Sequence, residues 1–178
     1  MHSRLFIAAI VAAAALSGAS VIAQQVNKDQ VPGIRNLARV ETTVACAGAI
    51  TPESVVEVKK MGFVSVVNLR LATEEGANVE KEEAAAKAAG IRYFHVPYDG
   101  SADPKAADAF LAAITTKGAE PAFIHCAGGN RAATMWLIKR IAIDHWDVTK
   151  ATNEATLLGQ TNPAMRQFAI DYAQAHKR

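Results

Sequence analysis

Ten residues, Ala122-Phe123-Ile124-His125-Cys126-Ala127-Gly128-Gly129-Asn130-Arg131, change character twice. The apolar start from Ala122 to His125 reads as a short strand buried at the centre of a sheet, and a helical pattern begins at Arg131 and runs to about Ile143. Between them lies a turn of small residues. Such a turn lets successive backbone N–H groups point inward around an anion, and the helix N-terminus behind it adds partial positive charge. Arg131 contributes a planar, permanently charged fork matched to two oxygens of an oxyanion. A cysteine at the mouth of this loop has its thiolate favoured by the same dipole and cation, so Cys126 is the candidate nucleophile. Ala127, Gly128, Gly129, Asn130 and Arg131 are the candidate anion cradle. The plainer reading makes Cys126 a small buried residue and Gly128-Gly129 an ordinary turn. The conjunction of glycines, a following arginine and a helix start weighs against it.

Outward from this stretch, strands and helices alternate. Residues 38–46 form a first expected strand, and Thr51-Pro52 opens a helix that Gly62 closes. The β-branched run Phe63 to Leu69 is a second strand, and a helix rich in Glu, Lys and Ala is expected from about Glu74 to Ala89, with Gly90 as its stop. Ile91 to Val96 is a third strand, Asp103-Pro104 opens another helix, and helical segments near 148–158 and 163–175 complete the chain. This order predicts an α/β fold with a central, mainly parallel sheet flanked by helices. Ligands of such sheets sit beyond the carboxyl ends of the strands, where the Cys126 loop falls.

Length and charge bound the function. At 178 residues the chain suits one domain, and 19 basic against 17 acidic residues leave no footprint for nucleic acid. Arg4 precedes an apolar run from Leu5 to Leu16, and Val21-Ile22-Ala23 resembles a cleavage site. Residues 1–23 are therefore expected to be a signal peptide, 24–34 a polar leader arm, and 35–178 the domain. The strongly apolar run is shorter than the ~20 residues a spanning helix needs, so no stable membrane association is expected after cleavage. The expected location is periplasmic or secreted. Such a compartment permits disulfides, and the two cysteines, Cys46 and Cys126, could pair.

The loop resembles the HCxxGxxR signature of the protein tyrosine and dual-specificity phosphatases, and Val66-Val67-Asn68-Leu69-Arg70 and His95-Val96-Pro97-Tyr98-Asp99 also look like that family. The resemblance covers about residues 38–175. It implies the phosphotyrosine phosphatase II type of fold, a phosphocysteine on Cys126, phosphate held by Arg131, a proton donor on an upstream loop, and neither metal nor cofactor. Asp99 matches the donor position best. Asp103, before Pro104 at a helix start, has an ordinary role as N-cap. His125 is expected to support the loop by hydrogen bonding. Two departures stand out: four residues rather than five separate Cys126 from Arg131, and Ala132 replaces the usual hydroxyl residue. The short loop is similar to that of the bacterial phosphatase-like domain associated with beta-lactamase-hydrolase-like proteins. The implied partner is a phosphorylated protein or small molecule.

Two other readings compete. Rhodanese-like sulfurtransferases share the four-residue spacing, but the chain lacks their Asp-x-Arg and Gly-His-Ile-Pro type segments. A weakly catalytic anion binder, or a redox sensor pairing Cys46 with Cys126, is the non-enzymatic alternative.

Overall fold

Side chains that alternate between the two faces of the strands build two apolar layers on one sheet. The computed structural model describes residues 25–177. In chain order the elements are β1 (Val26–Val31), β2 (Ile34–Val40), β3 (Val44–Ala47), α1 (Val55–Lys60), β4 (Ser65–Asn68), α2 (Val79–Ala89), β5 (Arg92–His95), α3 (Pro104–Ile114), β6 (Ala122–His125), α4 (Asn130–Ala142), α5 (Val148–Leu157) and α6 (Pro163–Ala175). The sheet runs β1-β2-β3-β6-β4-β5. β3, β6, β4 and β5 are parallel, whereas β1 and β2 add an antiparallel hairpin at one edge. The expected α/β class and mainly parallel sheet are thus observed.

Successive side chains of β6 alternate between the faces: Ile124 joins α3, α4, α5 and α6, and Phe123 joins the layer of α1 and α2. β6 and α4 are therefore buried on all sides, and α4 is inaccessible from Ala132 to Ala142. The two cations within that buried stretch are paired in place. Arg140 lies over the rings of Trp136 (4.5 Å) and Trp146 (4.0 Å) and donates from Nε to Glu154 Oε1 at 2.7 Å. Lys139 meets Glu120 at 2.8 Å and Asp144 at 3.0 Å. These contacts tie α5 to the helix that carries the site.

Several sequence expectations are corrected. The expected leader arm of residues 24–34 is largely β1, paired along β2 and linked to it by the Asp29–Arg39 ion pair at 2.5 Å. An edge strand shows one face to solvent, so its polar alternation looks like a linker. The single strand at 38–46 is two strands, β2 and β3, divided at Glu41, whose φ is 43°. Thr51 makes no side-chain cap, and Pro52–Ser54 form a 3-10 turn before α1. The candidate signal peptide lies outside the described residues. Among the described residues no helix is long and apolar enough to cross a membrane.

Removing Glu154 takes the acceptor from Nε and Nη2 of the buried Arg140, leaving it Asp144 on Nη1, and from the Trp136 Nε1 proton it accepts at 2.7 Å. Glu154→Ala is expected to lower unfolding stability by about 3 kcal/mol, measured by urea titration.

Candidate active site

The sheet hydrogen bonding continues one residue past β6 on both sides. Cys126 N–H donates to Ala47 O (3.2 Å) at the end of β3, and Leu69 N–H donates to His125 O (2.9 Å) after β4. The chain then turns with carbonyls facing out: Ala127 O accepts from Ala49 N (3.0 Å), and Gly128 O accepts from Asn36 Nδ2 (3.0 Å). The Gly129 N–H points inward and donates to Cys126 Sγ at 3.1 Å. Cys126 is only 1% exposed, so the sulfur forms the floor of the loop. Gly129 needs its φ of 105°, which L side chains rarely adopt. At Gly48 a Cβ would lie 3.0 Å from Ala127 O, so glycine lets the two segments approach. Asn36, an exposed residue with φ 50°, braces the loop from β2 and was not singled out from sequence. The Asn130 side-chain amide lies 2.7 Å from the Thr161 hydroxyl, linking the loop to the α5–α6 connection.

Arg131 projects from the first turn of α4 into a cage of acceptors. Nη1 donates to Tyr98 O (2.6 Å) and Glu74 Oε1 (2.6 Å), and Nη2 to Glu74 Oε2 (2.9 Å). Burial works against the charged guanidinium, but Glu74 and the Cys126 sulfur more than offset it, leaving the arginine pKa above its ordinary value. Glu74 also accepts from Arg70 Nε (3.2 Å) and Leu71 N (3.0 Å). Its carboxyl pKa falls to about 2, chiefly through the hydrogen bond from Arg131. This explains a further correction: the helix expected from Glu74 begins at Val79, because Glu74 folds back into the preceding turn. Arg70 forms an ion pair with Glu74 and donates to the carbonyls of Glu75 and Gly76.

Asp99 lies exposed on the neighbouring loop. Its Oδ1 accepts from Ser101 N at 2.8 Å, and hydrogen bonding to Ser101 holds its pKa below the usual carboxylate value. A Cβ at Gly100 would sit 3.8 Å from Arg131 Cγ, so this loop borders the arginine stem. Asp103 caps α3 by accepting from Lys105 N at 2.9 Å, its ordinary role. The hydroxyl of Tyr98 is buried without a hydrogen-bond partner among the described residues, and burial raises its pKa to about 12. His125 departs from expectation. Strand alternation turns its ring away from the loop, beside Phe123 (6.3 Å between centroids), with Nε2 3.2 Å from Glu82 Oε2. Cys46 and Cys126 are both free and both point into the α3–α6 layer. Cys46 pairs in register with Ile124, two residues before Cys126, a diagonal of about 7–8 Å that a disulfide spans only if the backbone moves. Burial pushes the Cys46 thiol pKa up, and the nearby Cys126 adds to the effect.

The profile of the family described as "Beta-lactamase hydrolase-like protein, phosphatase-like domain" matches residues 34–143, well over half of the chain. The chain belongs to this family. The match takes in β2 through α4, including the whole Cys126–Arg131 loop, Glu74 and Asp99. The Beta-lactamase hydrolase-like protein of Agrobacterium fabrum is 38% identical over 82 residues, covering 43% of this chain. The aligned part is only 18% of that relative's length. Among solved structures, the DUF442 protein of Shewanella putrefaciens CN-32 superposes with a TM-score of 0.66 at 18% identity, over 82% of this chain and 96% of its own. TpbA of P. aeruginosa in complex with pTyr gives 0.59 at 19% identity, over 87% and 91%. The PP-IP phosphatase SIW14 of S. cerevisiae gives 0.61 at 17%, over 80% and 88%. These likenesses show a shared fold.

The depressed Glu74 pKa gives a signed pH dependence. Its contribution to stability is complete above its ordinary value of 4.5 and is lost as pH falls through about 2. Thermal unfolding of wild type and Glu74→Gln should therefore differ most above pH 4.5, and the gap should close toward pH 2.

Proposed function

We propose that the chain is an exported, cysteine-dependent phosphatase of the tyrosine or dual-specificity type, hydrolysing phosphate monoesters through a phosphocysteine. The observation that carries this reading is the Cys126 loop: carbonyls anchored outward, the Gly129 N–H aimed at Sγ, and the Arg131 guanidinium alongside. Anchoring the carbonyls outward leaves the concave side to N–H groups, the arrangement that meets equatorial phosphoryl oxygens. Family membership and the fold shared with TpbA and SIW14 support the same reading over sulfur transfer.

In the proposed reaction the Cys126 thiolate attacks phosphorus and the P–O ester bond breaks. The departing oxygen takes the proton of Asp99, while Arg131 and the loop amides stabilise the transferring phosphoryl group. Water then attacks phosphorus, giving its proton to the Asp99 carboxylate, and the S–P bond breaks to restore the thiolate and release inorganic phosphate. With Ala132 in place of a hydroxyl residue, this second step lacks a side-chain donor from that position to the departing sulfur. Asp99 starts ionised near neutrality in the free protein, held so by Ser101. A dianionic phosphate beside it favours its protonated form. The TpbA complex with pTyr makes an aryl phosphate the first substrate class to test.

The decisive assay is release of phosphate from an aryl phosphate in reductant without added metal, run beside a thiosulfate-to-cyanide assay. Hydrolysis should be abolished in Cys126→Ser; hydrolysis retained there, or sulfur transfer alone, overturns the reading. Asp99→Asn is expected to slow turnover about 100-fold and to flatten the fall in rate as pH rises, with Asp103→Asn close to wild type. The reverse ranking reassigns the donor. Mass spectrometry of the exported protein should find its N-terminus just after Ala23.

A further inference from the structure

The layer opposite the helices α3–α6 holds a buried carboxylate that the proposed reaction does not use. Glu82 is fully buried on α2, and its Oε2 is approached from three strands at once. Asn68 Nδ2, at the end of β4, donates to it at 2.8 Å; the Tyr93 hydroxyl on β5 donates at 3.2 Å; and His125 Nε2, at the end of β6, lies 3.2 Å away, in ion-pair range without a hydrogen bond. Asn68 Nδ2 also donates to the Tyr93 hydroxyl at 2.8 Å. Asn68 and His125 are aligned in register on adjacent strands, as are Val66 and Tyr93.

We propose that Glu82 is a positioning residue that sets, through these three side chains, the relative placement of the three loops forming the site. The inference rests on the reading of that site as the phosphatase centre. Each gripped strand feeds one loop. β4 leads to Leu69, Arg70 and Glu74, and the Asn68 carboxamide extends the grip by accepting from Arg70 N at 2.8 Å. β5 leads to Tyr98, which accepts from Arg131, and to Asp99. β6 leads directly to Cys126.

The chemistry of the group explains why a carboxylate stands here. Burying one is costly unless donors surround it, and an ionised carboxylate is acceptor-only, able to take several N–H and O–H groups on one oxygen. A glutamine would keep one carbonyl oxygen but bring two N–H donors into a pocket that already supplies donors. His125 ties the arrangement to the nucleophile, since its own carbonyl accepts from Leu69 N and its successor is Cys126. Near-attack geometry is sensitive to displacements of this kind, so a loosened grip should appear in turnover before it appears in folding.

The test compares Glu82→Gln and Tyr93→Phe with wild type in three measurements: thermal unfolding, amide hydrogen exchange, and kcat and KM on an aryl phosphate with orthovanadate as a binding probe. The expected result is folded variants whose amides exchange faster at residues 69–74, 96–101 and 126–131. Orthovanadate affinity and kcat should each fall about tenfold in Glu82→Gln, and less in Tyr93→Phe, with KM nearly unchanged. Faster exchange confined to α2 and its packing partners, with kcat and orthovanadate affinity intact, overturns the proposal. Should Glu82→Gln fail to fold, unchanged exchange and kcat in Tyr93→Phe also overturn it. Exchange does not depend on activity. A wild type that neither binds orthovanadate nor hydrolyses the ester therefore defeats the phosphatase reading and leaves the coupling of the loops to be judged by exchange.

Discussion

Two backbone hydrogen bonds, from Cys126 N to Ala47 O and from Leu69 N to His125 O, carry the sheet past the end of its central strand. The other features of the site inherit their positions from this extension. Without it, the residue after His125 would be a free loop residue. With it, the Cys126 sulfur starts from a buried central strand, between two parallel neighbours and beneath a helix buried from Ala132 to Ala142. The two outward carbonyl contacts then decide which way the peptide planes turn. Because Ala127 O and Gly128 O are held by Ala49 and Asn36, the concave side is left to N–H groups and the sulfur. A loop with only four residues between Cys126 and Arg131 has little slack, and these outer anchors remove what there is.

Charge balance around Arg131 is the second organising element. A guanidinium this enclosed needs acceptors, and Glu74 and Tyr98 O supply them on one edge while the sulfur lies near it as well. Glu74 is itself held by Arg70 and Leu71 N, so the loop after β4 and the start of α4 are joined through one carboxylate. The arrangement fixes the arginine's direction before any ligand arrives, and binding energy need not be spent on orienting it.

Much of this was legible in the sequence because it depends on local pattern. A β-branched run marked β4 and a short apolar one β6, Gly90 adopts the left-handed C-cap expected of it, and Asp103 caps a helix that opens with proline. Cys126, its glycines and Arg131 stood out because their chemistry is concentrated in six consecutive residues. What escaped was tertiary. Glu74 looks like one more glutamate at the start of a helix, yet it folds back onto Leu71 N and Arg70 and meets Arg131, 57 residues away. Glu82 lies in a run of Glu, Lys and Ala that reads as a solvated face, yet it is fully buried. The ring of His125 took the face dictated by strand alternation rather than that of the loop it precedes. β1 was hidden because an edge strand with polar alternation and a linker look alike.

The two glycines of the loop are not equivalent. Gly129 is bound to its role by a left-handed backbone, whereas Gly128 has no such conformation and nothing lies within 4 Å of where its Cβ would stand. Gly128 is exposed and lines a cleft of about 1130 Å³ bounded by the β1–β2 hairpin and the α5–α6 connection. Position 128 is therefore structurally silent but spatially privileged. A larger residue there would narrow the cleft while the backbone stayed as it is, so descendants of this sequence could alter what enters beside the loop by exchanging a single side chain.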